Sequence, residues 1–169
     1  AVIQGSDDQT PAPTAAVEGE LIHLTGIVSD PGGDTIPFYA WTVTKNGQPF
    51  DAFEETLADP ATAPWSVPFS FTPDDEGTYV VTLTARDNAG AETAVPAQVT
   101  IQVTNGNPVA AILNAPSGAT EGATVTLASR ITDPGLLDTV QGYQWTVTRD
   151  GQPFTLPQGT PTNEASFTF

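Results

Sequence analysis

The stretch YAWTVTKNGQPF at residues 39–50 returns as YQWTVTRDGQPF at residues 143–154. In both copies a Tyr, a Trp and a Val stand at alternate positions: Tyr39, Trp41 and Val43, then Tyr143, Trp145 and Val147. A period of two is the pattern of a strand with one buried face, so each Trp is expected in a core. The tripeptides that follow, Lys45-Asn46-Gly47 and Arg149-Asp150-Gly151, resemble hairpin connections, because Asn-Gly and Asp-Gly accept the positive φ of a tight turn.

Working outward, the two copies stay aligned. Glu18-Gly19 matches Glu121-Gly122, Leu24 matches Leu127, and Asp30-Pro31-Gly32 matches Asp133-Pro134-Gly135. The repeat is therefore about one hundred residues long, too long for a solenoid unit and right for a β-sandwich bead. The spacing places a first repeat at 1–104, a short linker at 105–108 and a second repeat at 109–169. The second stops at Ser166-Phe167-Thr168-Phe169, aligned with Phe69-Ser70-Phe71, before any counterpart of DDEGTYVVTLTARDNAG (74–90). It is read as lacking its last two strands.

Along the first repeat, Ile22, Leu24 and Val28 are expected to face inward and His23 outward. Val125, Leu127 and Ile131 repeat the inward pattern in the second. A strand is expected from Ser66 to Thr72, an inward alternation at Tyr79, Val81, Leu83 and Ala85, and a closing strand from Val95 to Thr104. Glu54-Glu55 reads as an exposed loop. The fold class is all-β: tandem seven-strand β-sandwiches, the second one incomplete.

Composition supports this class. The 169 residues are 38% hydrophobic, with 15 Gly and 16 Pro set between runs rich in β-branched and aromatic residues, which is how short strands and tight turns are written. No stretch has a sustained helical period or the apolar length of a membrane span. Four Lys+Arg against twenty Asp+Glu give a net charge of −16. Such a chain repels phosphate backbones and anionic headgroups, so nucleic acid and membrane insertion are not expected. Cysteine is absent, which excludes disulfides and thiolate sites. The lack of an initiating Met and of a signal-peptide core suggests an internal or processed piece. One His, no Cys, no G-x-S-x-G elbow and no phosphate loop leave little for catalysis, and the chain is read as no enzyme.

A Trp on the third strand, and D-x-G-x-Y at Asp75-Glu76-Gly77-Thr78-Tyr79 before the sixth, resemble the immunoglobulin-like sandwich, with Val81 where antibody-type domains place their second cysteine. The wider set is the Asn and Pro of the unit boundary, Asn105-Gly106-Asn107-Pro108, then E-G, D-P-G-x-D-T, Y-x-W-x-V, P-D-D-x-G-x-Y and D-N-x-G. That set is similar to the PKD-like and cadherin-like tandem repeats of large bacterial surface and secreted proteins. The W-x-F-G-D-G segment of the PKD pattern is replaced here by Trp41-Thr42-Val43-Thr44-Lys45-Asn46-Gly47.

In a sandwich of this topology the second and sixth loops share one end and the first and fifth the other. Asp30, Asp34, Asp87 and Asn88 then fall at one end. Glu18, Asp74 and Asp75 fall at the other, followed by Asn105 and Asn107 of the linker, and this end is expected to adjoin Asp133 and Asp138. Oxygen donors of this kind suit Ca²⁺, which takes six to eight of them, whereas zinc wants Cys or His. The candidate metal ligands are thus Glu18, Asp30, Asp34, Asp75, Asp87, Asn88, Asn105, Asn107, Asp133 and Asp138, with calcium as cofactor. The cadherin-like resemblance implies the same, since those arrays hold calcium between successive domains. Asp-Pro-Gly is equally an ordinary turn sequence, and Asp75 can serve to fix a corner whose Tyr79 hydroxyl bonds back to the backbone.

Three roles follow. The first is a calcium-stabilised rigid spacer or adhesion stalk of an extracellular or cell-surface protein, partnered by neighbouring repeats of the same chain. The second is a fibre subunit completed by strand addition between copies of the protein. The third is a module binding a polysaccharide or protein beside a secreted enzyme, with Trp65, Phe53 and Phe50 as stacking groups.

Overall fold

The period-two run around Trp41 becomes strand β4, Phe38–Lys45, and the rest of the first unit is assembled on it. This computed structural model describes residues 1–32, 34–56 and 65–169. The chain divides into two compact units, Ala1–Gly106 with Pro134–Leu137, and Asn107–Asp133 with Asp138–Phe169.

The first unit contains β1 (Val2–Gln4), β2 (Ala15–Val17), β3 (Ile22–Val28), β4, β5 (Gln48–Thr56), β6 (Trp65–Phe71), β7 (Gly77–Arg86) and β8 (Ala97–Thr104). They form two sheets, β1-β3-β6 and β2-β8-β7-β4-β5. The seven-strand sandwich appears with its first strand split: β1 pairs antiparallel with β3 and β2 pairs parallel with β8. Proline at residues 11 and 13 lies between the halves, where a residue without an N–H interrupts pairing and lets the chain change sheets.

β4 lies between β5 and β7, with Trp41 opposite Phe53 on one side and Leu83 on the other. Trp41, Val43, Tyr79, Val81, Leu83 and Ile101 are buried, and so are Ile22, Leu24, Val28, Val67, Phe69 and Phe71 from the facing sheet. His23 is exposed, as the alternation requires. Trp41 stacks on Phe69 with centroids 5.2 Å apart and planes at 12°, an offset geometry that adds to area burial. The facing strand makes room for it at Gly26. A Cβ there would overlap Leu83 Cδ2 and lie 2.7 Å from Val67 Cγ2 and 2.8 Å from Trp41 Cζ2.

Asn46 and Gly47 take φ of 51° and 79°, the mirror-image turn whose twist suits a hairpin. That hairpin zips on through β5, so Glu54 and Glu55 are strand residues and not a loop. The Tyr39 hydroxyl donates to Glu55, which helps to hold the strand. The exposed carboxylates of Asp51, Glu54 and Glu55 charge this strand, a common protection against edge pairing.

The second unit has β9 (Val109–Leu113), β10 (Thr126–Thr132), β11 (Thr148–Arg149), β12 (Gln152–Pro153) and β13 (Ser166–Thr168), in a sheet β13-β10-β9 and a hairpin β11-β12. Asp150 and Gly151 repeat the turn, with φ of 54° and 77°. Trp145 repeats the stack, 5.3 Å and 12° from Phe167. Yet Trp145, Val125, Leu127 and Ile131 are only half-buried, and Tyr143–Val147 is not a ladder strand. The reason is visible in the first unit, where the same strand is covered by β7, which has no counterpart among the described residues of the second. No helix among the described residues is long and apolar enough to cross a membrane.

Gly26→Ala is expected to cost about 1–3 kcal/mol through overpacking against Trp41 and Leu83. Urea denaturation should show a lower midpoint with an unchanged slope; an unchanged midpoint would mean that the facing strands yield freely.

Candidate metal centre

Glu18 is an acidic residue held inside the first unit. The Val17–Glu20 turn needs a positive φ, and Gly19 supplies it at 73°. Glu18 N donates to Thr104 O at 3.1 Å and Gly19 N to Pro73 O at 2.9 Å. The turn is thereby fastened both to the end of β8 and to the loop before β7. The side chain between these anchors is 2% exposed. One carboxylate oxygen accepts from Gly106 N at 2.6 Å, and the other, Oε2, is buried with no hydrogen-bond donor among the described residues. An unpaired buried carboxylate oxygen is costly unless a proton or a cation meets it.

Asp75 and Glu76 lie beside it, each with a carboxylate oxygen within 4.8 Å of the others. Ionised carboxylates are acceptors only, so three together repel unless a cation intervenes.

The same loop is tied down on its other side. The Tyr79 hydroxyl lies 2.9 Å from both Asp75 O and Asp74 Oδ1, the corner that the D-x-G-x-Y spacing predicts. Lys45 Nζ is 2.8 Å from Asp74 Oδ1 and 3.6 Å from Asp75 Oδ2, and 5.8 Å from the Tyr79 ring centroid. It is placed there by the hairpin turn, since Asn46 N donates to Thr78 O at 2.8 Å and Thr78 N to Asn46 Oδ1 at 3.0 Å.

The Lys45 hydrogen bond, followed by that of Tyr79, holds the Asp74 carboxyl below the usual range against the cost of burial. Asp75 is lowered too, first by a hydrogen bond with the Glu76 side chain, which a carboxyl can donate only when it carries a proton, then by the Glu76 amide, the Lys45 charge and a hydrogen bond with Glu18. Burial raises the Tyr79 phenol, and the Asp74 carboxylate raises it further. Burial opposes the charge on Lys45, but Asp74 and Tyr79 more than offset this, so its pKa is raised.

The remaining candidates are placed as follows. Asp30 Oδ1 accepts from Gly32 N at 2.6 Å and Asp34 N at 3.3 Å. Asp87 Oδ1 accepts from Ala89 N and Ala91 N, each at 2.8 Å. Asn88 N donates to Thr35 O. Asp30 and Asp87 line one cavity of about 300 Å³ with Glu92, and both carboxylates already brace their own loops. No group of three metal-ligating side chains forms there among the described residues. Asn105 lies in the first unit, and Asn107, Asp133 and Asp138 belong to the second.

Of the three proposed stacking groups, Phe50 packs edge-on to Tyr79, 5.1 Å between centroids, and is a core-edge residue. Trp65 is half-buried against the same core. Only Phe53 is exposed, at 43%, beside a cleft of about 380 Å³ shared with Pro68 and Phe69. Glu76 and Lys45 stand in this cluster but are not among the candidates read from the sequence. Glu76 had a signal, because it adjoins Asp75 in the Asp74-Asp75-Glu76 run. Lys45 had none until the hairpin was folded onto Tyr79.

The PKD domain family matches residues 8–103. The PKD domain of an M14-like peptidase from Thermoplasmatales archaeon SCGC AB-540-F20 is 27% identical, with 60% of this chain and 89% of that one covered and a TM-score of 0.43. The CARDB domain of a Pyrococcus furiosus protein, in complex with di-metal ions, is 21% identical over 60% and 84% of the two chains, TM-score 0.42. A superoxide reductase from Ignicoccus hospitalis is 15% identical over 62% and 81%, TM-score 0.41. No curated protein matches the chain.

A depressed Asp74 contributes stability that is complete above the unfolded-state value, near 4, and is lost as pH falls through the lower folded-state value. The raised Lys45 contributes below its unfolded value, near 10, and is lost at higher pH. Asp74→Asn should therefore destabilise by about 1 kcal/mol at pH 7, and the gap should close at pH 2. Denaturant curves at both pH values check this; a gap that persists in acid would assign the loss to packing.

Proposed function

Because the chain belongs to the PKD domain family, we propose that it is a non-enzymatic structural module of an extracellular or cell-surface protein, a spacer or adhesion stalk braced by calcium. The observation that carries the calcium reading is the buried Oε2 of Glu18, without a donor, beside Asp75 and Glu76. A hard divalent cation satisfies all three carboxylates at once, and no Cys or His is near to favour zinc. Further oxygens would come from backbone carbonyls and water, which Ca²⁺ accepts readily.

The role is mechanical. Glu18 fastens the β2–β3 turn to the end of β8 and to the linker amide of Gly106. A cation joining it to the loop before β7 ties three crossings of the chain into one knot at the end of the sandwich. At ten times its dissociation constant a single site adds about 1.4 kcal/mol, a few degrees in melting temperature for a domain of this size. Affinity of the extracellular type, about 10⁻⁴ to 10⁻³ M, suits a brace that is filled outside the cell.

The test is a thermal melt of the chain in millimolar calcium and in chelator, with Glu18→Gln alongside. The amide keeps an acceptor for Gly106 N and gives Asp75 a donor. The variant is therefore expected to equal or exceed the wild type in chelator and to lose the upward shift in calcium. A wild type with no calcium shift would overturn the reading.

A further inference from the structure

One basic residue stands at the acidic end of the first unit. Residues 1–106 contain only Lys45 and Arg86 as Lys or Arg, and they sit at opposite ends of the β4–β7 ladder, where Lys45 faces Tyr79 and Arg86 faces Phe38. Arg86 lies over the Phe38 ring, 4.8 Å from its centroid. Lys45 is the one Lys or Arg of residues 1–106 at the end that carries the carboxylates, and it is not a loose surface lysine. Its side chain is 16% exposed, and its ammonium is 2.8 Å from Asp74 and 3.6 Å from Asp75.

We infer that Lys45 is a resident counter-ion that competes with the bound cation for Asp75 and thereby holds the affinity of the Glu18–Asp75–Glu76 site low. The inference rests on the calcium reading above. It follows from the unequal grip of the two aspartates on one ammonium. Asp74 holds it at hydrogen-bond distance; Asp75 shares it at a longer one. With the site empty, the lysine partly neutralises Asp75, lowering the repulsion from Glu18 and Glu76. A divalent cation arriving at Asp75 meets a like charge a few ångströms away and displaces the ammonium onto Asp74, which Tyr79 keeps in position through its hydroxyl. Asp74 thus acts as the parking site for the displaced charge and does not itself need to touch the metal. An acidic end that must fold before it meets calcium gains a temporary partner this way, and the brace stays responsive to calcium concentration.

Calcium titrations of the whole chain by calorimetry test the idea with Lys45→Met, Asp74→Asn and the double variant. Methionine preserves an apolar stem against the Tyr79 ring while removing the charge. Lys45→Met should bind calcium about tenfold more tightly than wild type. Asp74→Asn should bind several-fold more weakly, because the ammonium then has only Asp75. In the double variant that weakening should largely vanish, which a double-mutant cycle reads as coupling between residues 45 and 74. A weakening by Asp74→Asn of equal size with and without Lys45 would reduce Asp74 to a plain negative charge and overturn the proposal. So would a Lys45→Met affinity equal to wild type, with the calcium site itself left standing. Absence of calcium binding in both wild type and Lys45→Met would remove the site and the inference together. If Lys45→Met does not fold, Asp74→Asn against Lys45→Gln gives the same cycle.

Discussion

Trp41 fixes the register of the first unit. Its indole fills the space left by Gly26 on the facing sheet, stacks on Phe69 and stands opposite Leu83 in the ladder. In a strand the side chains alternate strictly, so a slip by one residue would carry Tyr39, Trp41 and Val43 out to solvent and bring Ala40, Thr42 and Thr44 in. The penalty for such a slip falls on several large side chains at once. With β4 pinned, the hairpin turn at Asn46-Gly47 is placed at the end of β7, and the position of Lys45 over Tyr79 follows without further choice. The core thus sets the geometry of the acidic end, and the buried Tyr79 belongs to both, because its hydroxyl reaches Asp74 and Asp75.

That end is organised by two kinds of satisfaction. Asp74 takes an ammonium and a phenol, both on Oδ1, and its side chain is part-exposed, so water reaches the rest. Glu18 is provided for on one oxygen only. The contrast with the opposite end is instructive, because Asp30 and Asp87 spend their carboxylates on the amides of their own turns. Backbone amides reward an aspartate locally and at short range. Glu18 is a longer residue with its own backbone engaged by Thr104, and its side chain passes beyond its own turn to the amide of residue 106.

Much of this architecture was legible in the sequence. The alternation around Trp41, the Asn-Gly and Asp-Gly turns and the D-x-G-x-Y corner are local signals, each set by the steric rules of one or two residues, and they recur where expected. The strand assigned to Glu54-Glu55 was not legible. Two adjacent carboxylates read as solvated loop, whereas the hairpin zipper overrides that preference on an edge strand. Phe50 was misread for a related reason: its place against Tyr79 depends on how far the hairpin extends. The acidic candidates separate only in three dimensions. Asp-Pro-Gly and Glu-Gly are both acidic turn signals, and nothing in their spelling tells which carboxylate turns back on its own amides and which turns inward.

The second unit repeats the short-range features of the first without its long ladder. The same tyrosine, tryptophan and valine, the same turn with positive φ at residues 150 and 151, and the same ring stack against Phe167 are present. Local chemistry has repeated faithfully. The long ladder has not formed, and the tryptophan is only half-buried. Turn and stack are therefore properties of short segments, settled by residues a few positions apart or by one pair of rings. Strand identity in β4 is a property of the assembled sheet, which needs β7 on one side to satisfy the backbone and exclude water. The dependence also runs the other way, since β7 carries Tyr79 and the loop bearing Asp74 and Asp75. The strand that completes the core is the same strand that builds the acidic corner, so closing the sandwich and assembling the corner are one event.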